Sequence, residues 1–194
     1  MDRYQHVVRL SFYGHVHEER HNVVRSMTTD KPIAVEYWSG AMTTFTYSYP
    51  SFRRFVVDAE TMLPVKVETW RMDVEAPEPE FVLDHELTEY YDLPDLSPAS
   101  FDALSRRFAA DSEFSLKYRQ TLTQHGVKMP LECDEKCMLE VSCQTSHSVY
   151  WDTRICQGKD AKDWEHDPIN TLWETSMDPW YSHHFIPNKD ELLQ

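Results

Sequence analysis

Val7-Val8-Arg9-Leu10-Ser11-Phe12-Tyr13-Gly14-His15-Val16-His17 is an apolar, β-branched and aromatic run, halted by a glycine and followed at once by two imidazoles spaced i, i+2. The run reads as a mostly buried strand and Gly14 as its stop. His15 and His17 then fall on a loop leaving a sheet, where two side chains one residue apart can each reach one of a pair of metal ions. With 4 Gly and 10 His in 194 residues, Gly-His-x-His arises by chance roughly 0.01 times. Two surface histidines in a turn account for the same residues equally well. Only 13 residues precede Gly14, so the other ligands of such a site must come from elsewhere, and the chain is expected to be the second half of something longer.

Outward from this run the first part of the chain is strand-rich. Pro32-Ile33-Ala34-Val35-Glu36-Tyr37-Trp38, Thr43-Thr44-Phe45-Thr46-Tyr47, Phe52-Arg53-Arg54-Phe55-Val56-Val57-Asp58 and Val65-Lys66-Val67-Glu68-Thr69-Trp70 are parted by turn formers at Ser39-Gly40, Pro50-Ser51 and Pro64. The alternation in the last of these predicts a half-exposed strand near a sheet edge. About five strands are expected between residues 7 and 75. From about residue 84 the period becomes helical. Ser97-Pro98 caps a helix with Phe101, Leu104 and Phe108 on one face, and Ser112 opens another with Phe114, Leu116, Tyr118 and Leu122. Gly126 and Pro130 end that helix. Residues 157–194 are polar, with Trp164, Trp173 and Trp180 among Asp, Glu and Pro, and read as an extended tail packed by its tryptophans.

A chain of 194 residues with 41% hydrophobic content can build one ordinary core. Its net charge of −14 opposes general binding to nucleic acid phosphates or anionic head groups. Residues 72–105 hold ten carboxylates and no Lys or Arg, which reads as a solvated acidic surface loop. No glycine-centred array of oxygen ligands marks a Ca²⁺ site. The N-terminus shows no signal peptide, and no segment has the ~18 apolar residues of a membrane span. Lys189-Asp190-Glu191-Leu192 imitates a retention signal, but Leu193-Gln194 follow it. None of Asn22, Asn170 and Asn188 has Ser or Thr two places on, so no glycosylation site is present.

Cys133, Cys137, Cys143 and Cys156 lie within 24 residues. Zinc is one candidate, although the C-x3-C-x5-C-x12-C spacing lacks paired short knuckles. Disulfides fit better. If residues 131–145 are helical, Cys133 and Cys137 stand one turn apart, roughly 6 Å between Cα atoms, within bridging range. Cys143 would then close to Cys156 and staple two short helices. Four reduced core cysteines would leave the clustering unexplained. Bridges would place this stretch in an oxidising compartment, in tension with the absent signal peptide.

Taken together, these blocks resemble the C-terminal portion of acid sphingomyelinase and the sphingomyelinase-like phosphodiesterases, within the calcineurin-like metallophosphoesterases. The resemblance runs from Arg3-Tyr4 through Phe12-Tyr13-Gly14-His15-Val16-His17, Pro32-Ile33-Ala34-Val35, Thr43-Thr44-Phe45, Pro50-Ser51-Phe52-Arg53 and Val82-Leu83-Asp84-His85-Glu86 to the four-cysteine spacing, about residues 3–157. It implies an α+β fold: the C-terminal strands of a metallophosphoesterase β-sandwich in residues 1–80, a small disulfide-stapled helical subdomain in 81–157, and the tail in 158–194. It further implies a two-zinc site, with His15 and His17 as the last two metal ligands, each serving a different ion, and disulfides Cys133 with Cys137 and Cys143 with Cys156. The substrate implied is a phosphodiester such as sphingomyelin, and the parent family is secreted or lysosomal.

The departures bear on activity. The family's Asp-x-His, Gly-Asp, Gly-Asn-His and further His precede Gly-His-x-His, and no Asp here is followed two places later by His. The bridging Asp, the acid that protonates the leaving alkoxide and the saposin-like lipid-binding domain are absent too. The expectation is a C-terminal fragment that does not hydrolyse phosphodiesters alone and whose N-terminal catalytic half is missing. The alternative is a stand-alone, non-catalytic interaction module that pairs with a separate catalytic half. An unrelated binding protein with an acidic face fits the block order less well.

Overall fold

A computed structural model describes residues 2–45, 47–126 and 130–159. The described residues up to Gln157 make one compact unit; the expected tryptophan-packed tail lies almost wholly outside the described residues. The unit is α+β, with two three-stranded sheets and five α-helices. In the first sheet β1 (Ser11–Tyr13), β3 (Pro32–Trp38) and β2 (Arg20–Arg25) lie in the order β1-β3-β2. Here β1 pairs parallel to β3, and β2 antiparallel to it. The second sheet is antiparallel, in the order β4 (Ser51–Val57), β5 (Pro64–Met72), β6 (Phe81–Glu86).

Several expectations need correction. The run 7–13 is not a buried strand. Only three residues pair, Val7, Phe12 and Tyr13 are exposed, and among the described residues β1 has a strand neighbour on one side only. The described residues of the expected strand 43–47 are not a strand either: Thr43 to Phe45 hold a bend and a turn, the Phe45 N–H donating to the Thr43 hydroxyl two residues back at 3.2 Å. One unforeseen strand is β2, whose arginine ends hid an inward-facing His21, Val23 and Val24. Strand β5 is the centre of its sheet rather than an edge, so Val67, Glu68 and Thr69 are all buried. The acidic stretch is structured as well. It contains β6, helix α1 (Leu87–Tyr91) and the start of α2.

Helix starts follow capping chemistry. Glu86 accepts from the Thr88 and Glu89 N–H groups to open α1, Ser97 from Ser100 N–H to open α2 (Pro98–Phe108), and Asp134 from Cys137 N–H to open α4 (Glu135–Ser146). For α3 (Ser112–Leu122) the cap is Asp111, one residue before the serine expected to open it. The last carbonyls of α4 are met from β2. Asn22 Nδ2 donates to Gln144 O at 2.7 Å and His147 O at 3.0 Å, and Arg25 Nε to Ser146 O at 3.1 Å. One core results, in which Val23, Tyr37, Phe101, Phe108, Tyr118 and Val141 are almost wholly buried. Phe55 carries β4 onto the first sheet, with ring centroids 4.7 Å from Phe12 and 5.3 Å from Tyr37.

Disulfides join Cys133 to Cys137 and Cys143 to Cys156, with Cα separations of 5.2 and 5.6 Å. The geometric premise was partly wrong: Cys133 lies just ahead of the Asp134 cap rather than inside α4. The second bridge staples α4 to α5 (Tyr150–Cys156).

Gly126 is needed for space rather than for dihedral freedom. A Cβ there would stand 2.0 Å from the Tyr47 carbonyl oxygen, whereas at Gly40 the clash at 2.1 Å is with the rotatable Ser51 hydroxyl. Gly126→Ala is expected to cost about 1–3 kcal/mol by overpacking and Gly40→Ala less, as read from denaturant midpoints. Equal costs would show that the 47–48 backbone yields as easily as a side chain.

Candidate functional site

The loop after β1 carries His15 and His17, and the backbone is unusual at the histidines themselves. His15 has φ 77° and His17 φ 59°, left-handed values that a β-carbon disfavours. Gly14 does not share this conformation, and a Cβ on it would meet nothing within 4 Å. His15 is exposed and His17 half-buried. His17 Nδ1 is buried with no hydrogen-bond partner among the described residues. The Phe45 ring flanks it edge-on at 6.2 Å.

Two further loops converge here. Leu122 O accepts from Glu19 N–H at 3.1 Å, binding the loop to the end of α3. Gly126 packs on Tyr47 and Ser48, close to Phe45. Tyr47, Gln124 and His125 also adopt positive φ, at 63°, 52° and 58°. Of the eight non-glycine residues with this backbone among the described residues, five lie in these three loops; strain concentrated in one place is a mark of a functional region.

A buried ionic network holds the loops. The Glu19 side chain is 2% exposed. It accepts from Arg53, from His85 Nε2 at 2.9 Å and from Gln124 Nε2 at 2.7 Å. Arg53 also donates to Trp38 O at 3.0 Å, Arg20 O at 3.3 Å and Thr69 Oγ1 at 3.3 Å. The other nitrogen of His85 donates to Asp84 Oδ2 at 2.7 Å, and Arg71 Nε to Asp84 Oδ1 at 2.5 Å. His125 Nε2 faces the same carboxylate at 3.5 Å. Burial raises the Glu19 pKa, but the charges of Arg53 and His85 outweigh it and hold the carboxyl well below its usual range. Asp84 is likewise held low: hydrogen bonds from His125, His85 and Arg71 overcome the cost of burial.

Two buried histidines answer burial in opposite ways. For His85 desolvation lowers the pKa, yet the Glu19 charge and the bonds to Asp84 and Glu19 raise it to about 9. His21 stands among Phe101, Tyr118, Tyr91 and Phe108, with ring centroids from 4.8 to 6.3 Å away. Burial, and next the charge of Arg53, lower its pKa to about 3, Glu19 opposing. From ordinary values of 6.5, the two pull stability in opposite directions with pH. The His85 contribution is complete below pH 6.5 and is lost as pH rises toward 9. The His21 contribution is complete above 6.5 and is lost as pH falls toward 3. Asp84 adds to the acid loss only below the ordinary carboxylate range. Maximal stability is therefore expected near pH 6.5. Unfolding by guanidinium at pH 5, 6.5 and 8.5 checks this: His85→Gln should flatten the alkaline decline and His21→Phe shrink the acid one, whereas identical pH profiles in both variants would refute the assignment.

Among the described residues no group of three or more His, Cys, Asp or Glu is placed to hold a metal ion. His15 and His17 therefore provide two imidazoles and no complete cage. Glu19, Gln124 and His125 were not singled out from the sequence; Arg53 and Asp84-His85-Glu86 stand in quoted blocks to which no role was assigned. For Arg53 in β4 and for Asp84 and His85 in β6 a clue was available in advance, a titratable side chain inside an otherwise apolar strand; Glu19, Gln124 and His125 lie in loops and carried none.

No family model matches the chain. Curated relatives do. It is 28% identical over 113 residues to sphingomyelin phosphodiesterase B of Dictyostelium discoideum, covering 53% of this chain and 18% of that protein. It is 24% identical over 165 residues to sphingomyelin phosphodiesterase 2 of Caenorhabditis elegans, covering 79% and 27%. With sphingomyelin phosphodiesterase 1 of Caenorhabditis elegans it shares 25% identity over 170 residues, covering 80% and 28%. The chain thus spans between 18% and 28% of the length of these relatives. They bear out the resemblance to the acid sphingomyelinase-like family.

Proposed function

We propose, from this kinship with the acid sphingomyelinase-like family, that His15 and His17 are two ligands of a zinc-dependent phosphodiesterase site whose substrate is sphingomyelin or a related phosphodiester. The observation that carries the reading is the buried Nδ1 of His17, without a hydrogen-bond partner among the described residues, on a left-handed loop clamped by Glu19. A nitrogen withdrawn from water and left without a hydrogen-bond partner costs free energy unless a ligand meets it. Neutral imidazole nitrogens suit zinc. Zinc, when bound in a pair, supplies a hydroxide nucleophile and neutralises charge on the phosphoryl oxygens. The chain's own residues do the positioning. His17 offers its inner nitrogen, His15 offers an exposed ring from the same loop, and Glu19 with Arg53 and His85 fixes where that loop leaves the first sheet.

Two imidazoles do not hold a metal pair. The described residues alone do not hydrolyse phosphodiesters in this reading; the remaining Asp, Asn and His ligands come from a complementary polypeptide segment. The disulfides favour an oxidising compartment, secretory or lysosomal, and no helix among the described residues is long and apolar enough to cross a membrane. The second reading, a non-catalytic module that docks on a partner, is favoured by the edge of β1, which no strand among the described residues covers and where Phe12 is 57% and Tyr13 41% exposed.

The test is an assay of the pure chain with zinc and sphingomyelin micelles, alone and with a polypeptide of the portion of a sphingomyelin phosphodiesterase that this chain does not match. No turnover alone, and turnover in the mixture that requires both His15 and His17, is expected. Zinc-dependent turnover by the pure chain, abolished by His15→Ala, would refute inactivity. Turnover in the mixture that survives loss of both histidines would favour the module.

A further inference from the structure

Glu19 stands two residues after His17, and its carboxylate is held at both oxygens. Oε1 accepts from Arg53 of β4 and from His85 of β6. Oε2 accepts from Gln124 Nε2 at 2.7 Å, and the Glu19 N–H donates to Leu122 O at 3.1 Å. The turn that ends α3 therefore grips both the side chain and the backbone of the histidine loop.

Gln124 is a costly residue for that turn. It is 0% exposed and has φ 52°, a left-handed backbone that glycine or asparagine adopts after a helix with less strain. Its side-chain oxygen is buried with no hydrogen-bond partner among the described residues, a second cost. What the side chain supplies in return is reach. Its amide nitrogen donates to Thr121 O and to Glu19 Oε2, both at 2.7 Å. Two acceptor oxygens on that side fix which end of the amide is the nitrogen, and the bond back to Thr121 aims the other N–H at Glu19. Strain held in place by several fixed partners points to function rather than to stability. The same turn meets two further elements: His125 Nε2 faces Asp84 Oδ2 at 3.5 Å, and Gly126 packs on the Tyr47 carbonyl.

We propose that Gln124 is a positioning residue for the histidine loop: by fixing the Glu19 carboxylate from the end of α3 it holds His15 and His17 in their left-handed backbone, so that the placement of both rings depends on the helices as well as on the sheets. Arg53 and His85 balance the charge of Glu19, and the neutral amide sets its direction. A carboxylate bonded at one oxygen alone can still turn about its last torsion, whereas donors at both oxygens leave it one orientation. The consequence for zinc rests on the reading of His15 and His17 as ligands; the consequence for the loop does not.

Backbone order parameters of residues 14–18, measured on the ¹⁵N-labelled whole chain, test the inference in two variants. Gln124→Met fills the volume without a donor, and Gln124→Asn suits the left-handed turn but is one methylene short of Glu19. In the unaltered chain the loop should be rigid, at about 0.85, and in both variants it should fall below about 0.6. Val141→Ala weakens the buried core from α4 and leaves the Glu19 bonds in place; it should keep the loop rigid, which separates positioning from a general loss of stability. At a fixed low zinc concentration the shift of the His17 ring should weaken about tenfold in both Gln124 variants, as when other residues that orient a metal ligand are removed. Unchanged order parameters in both variants overturn the inference, as does a loop that loosens equally in Val141→Ala or a His17 zinc response of undiminished strength. If the His15 and His17 rings of the unaltered chain do not respond to zinc, the ligand reading fails, and the order parameters still decide the role of Gln124.

Discussion

Replacing Glu19 by alanine is expected to destabilise the fold by about 3–5 kcal/mol, the usual cost of stripping one partner from a buried ionic pair. The substitution leaves Arg53, whose side chain is 2% exposed, and His85, also 2% exposed, as cations without their shared carboxylate. Arg53 keeps its carbonyl partners Trp38 and Arg20, and His85 keeps Asp84, so the loss is of charge balance rather than of every bond. Two consequences separate this from ordinary cavity formation. The His85 pKa should fall from about 9, and the alkaline decline in stability should fade with it. Removing Glu19 and Arg53 together as Met and Leu should cost clearly less than the sum of the single changes. Additive costs in a denaturant cycle would mean that the two side chains do not act as a pair.

Breaking the Cys143–Cys156 bridge is expected to have the next largest effect. It spans 13 residues, for which loop-closure entropy predicts about 3 kcal/mol. The Cys133–Cys137 bridge spans four and is expected to contribute about 2 kcal/mol by the same reasoning. The difference should be larger locally than globally. Helix α5 has seven residues, no side-chain cap at Val149, and an exposed Ile155; a helix that short does not persist unaided. In the paired variant Cys143→Ala with Cys156→Ala, amide exchange across α5 should therefore rise to nearly unprotected values while β3 and α2 remain protected. Retained protection in α5 would show that the packing of Arg154 and Tyr150 suffices without the staple.

Features set by neighbouring residues were legible in the sequence. Strand β3, strand β4, the Ser97-Pro98 helix start and the cysteine cluster all depend on contacts within a few positions. Features set by distant partners were not. Glu19 meets Arg53, His85 and Gln124 across 34, 66 and 105 residues, and no local pattern distinguishes such a carboxylate from one in solvent. Strand β2 was hidden because Arg20 and Arg25 at its ends look like surface charges, while His21 between them sits in a ring of aromatics that only the fold assembles. Residues 43–47 have the composition of a strand, but those of them that are described find no neighbouring edge to pair with among the described residues. Strand β5 alternates in sequence like an edge strand, yet the side chains of Arg54 and Lys66 neutralise its Glu68 and let it lie in the middle of a sheet. At the candidate site, Gly14-His15-Val16-His17 was visible as a motif, whereas the left-handed backbone at both histidines and the unmet nitrogen of His17 belong to the folded chain.

The most direct test of the central claim is a zinc titration of the ¹⁵N-labelled whole chain, watched through the ring nitrogens of its 10 histidines. His15 and His17 are predicted to respond before the other histidines, weakly, with His17 shifting at Nδ1. Zinc taken up first by His183 and His184, or by any other histidine while the His15 and His17 rings stay unmoved, would contradict the assignment of this loop as a metal-ligating one.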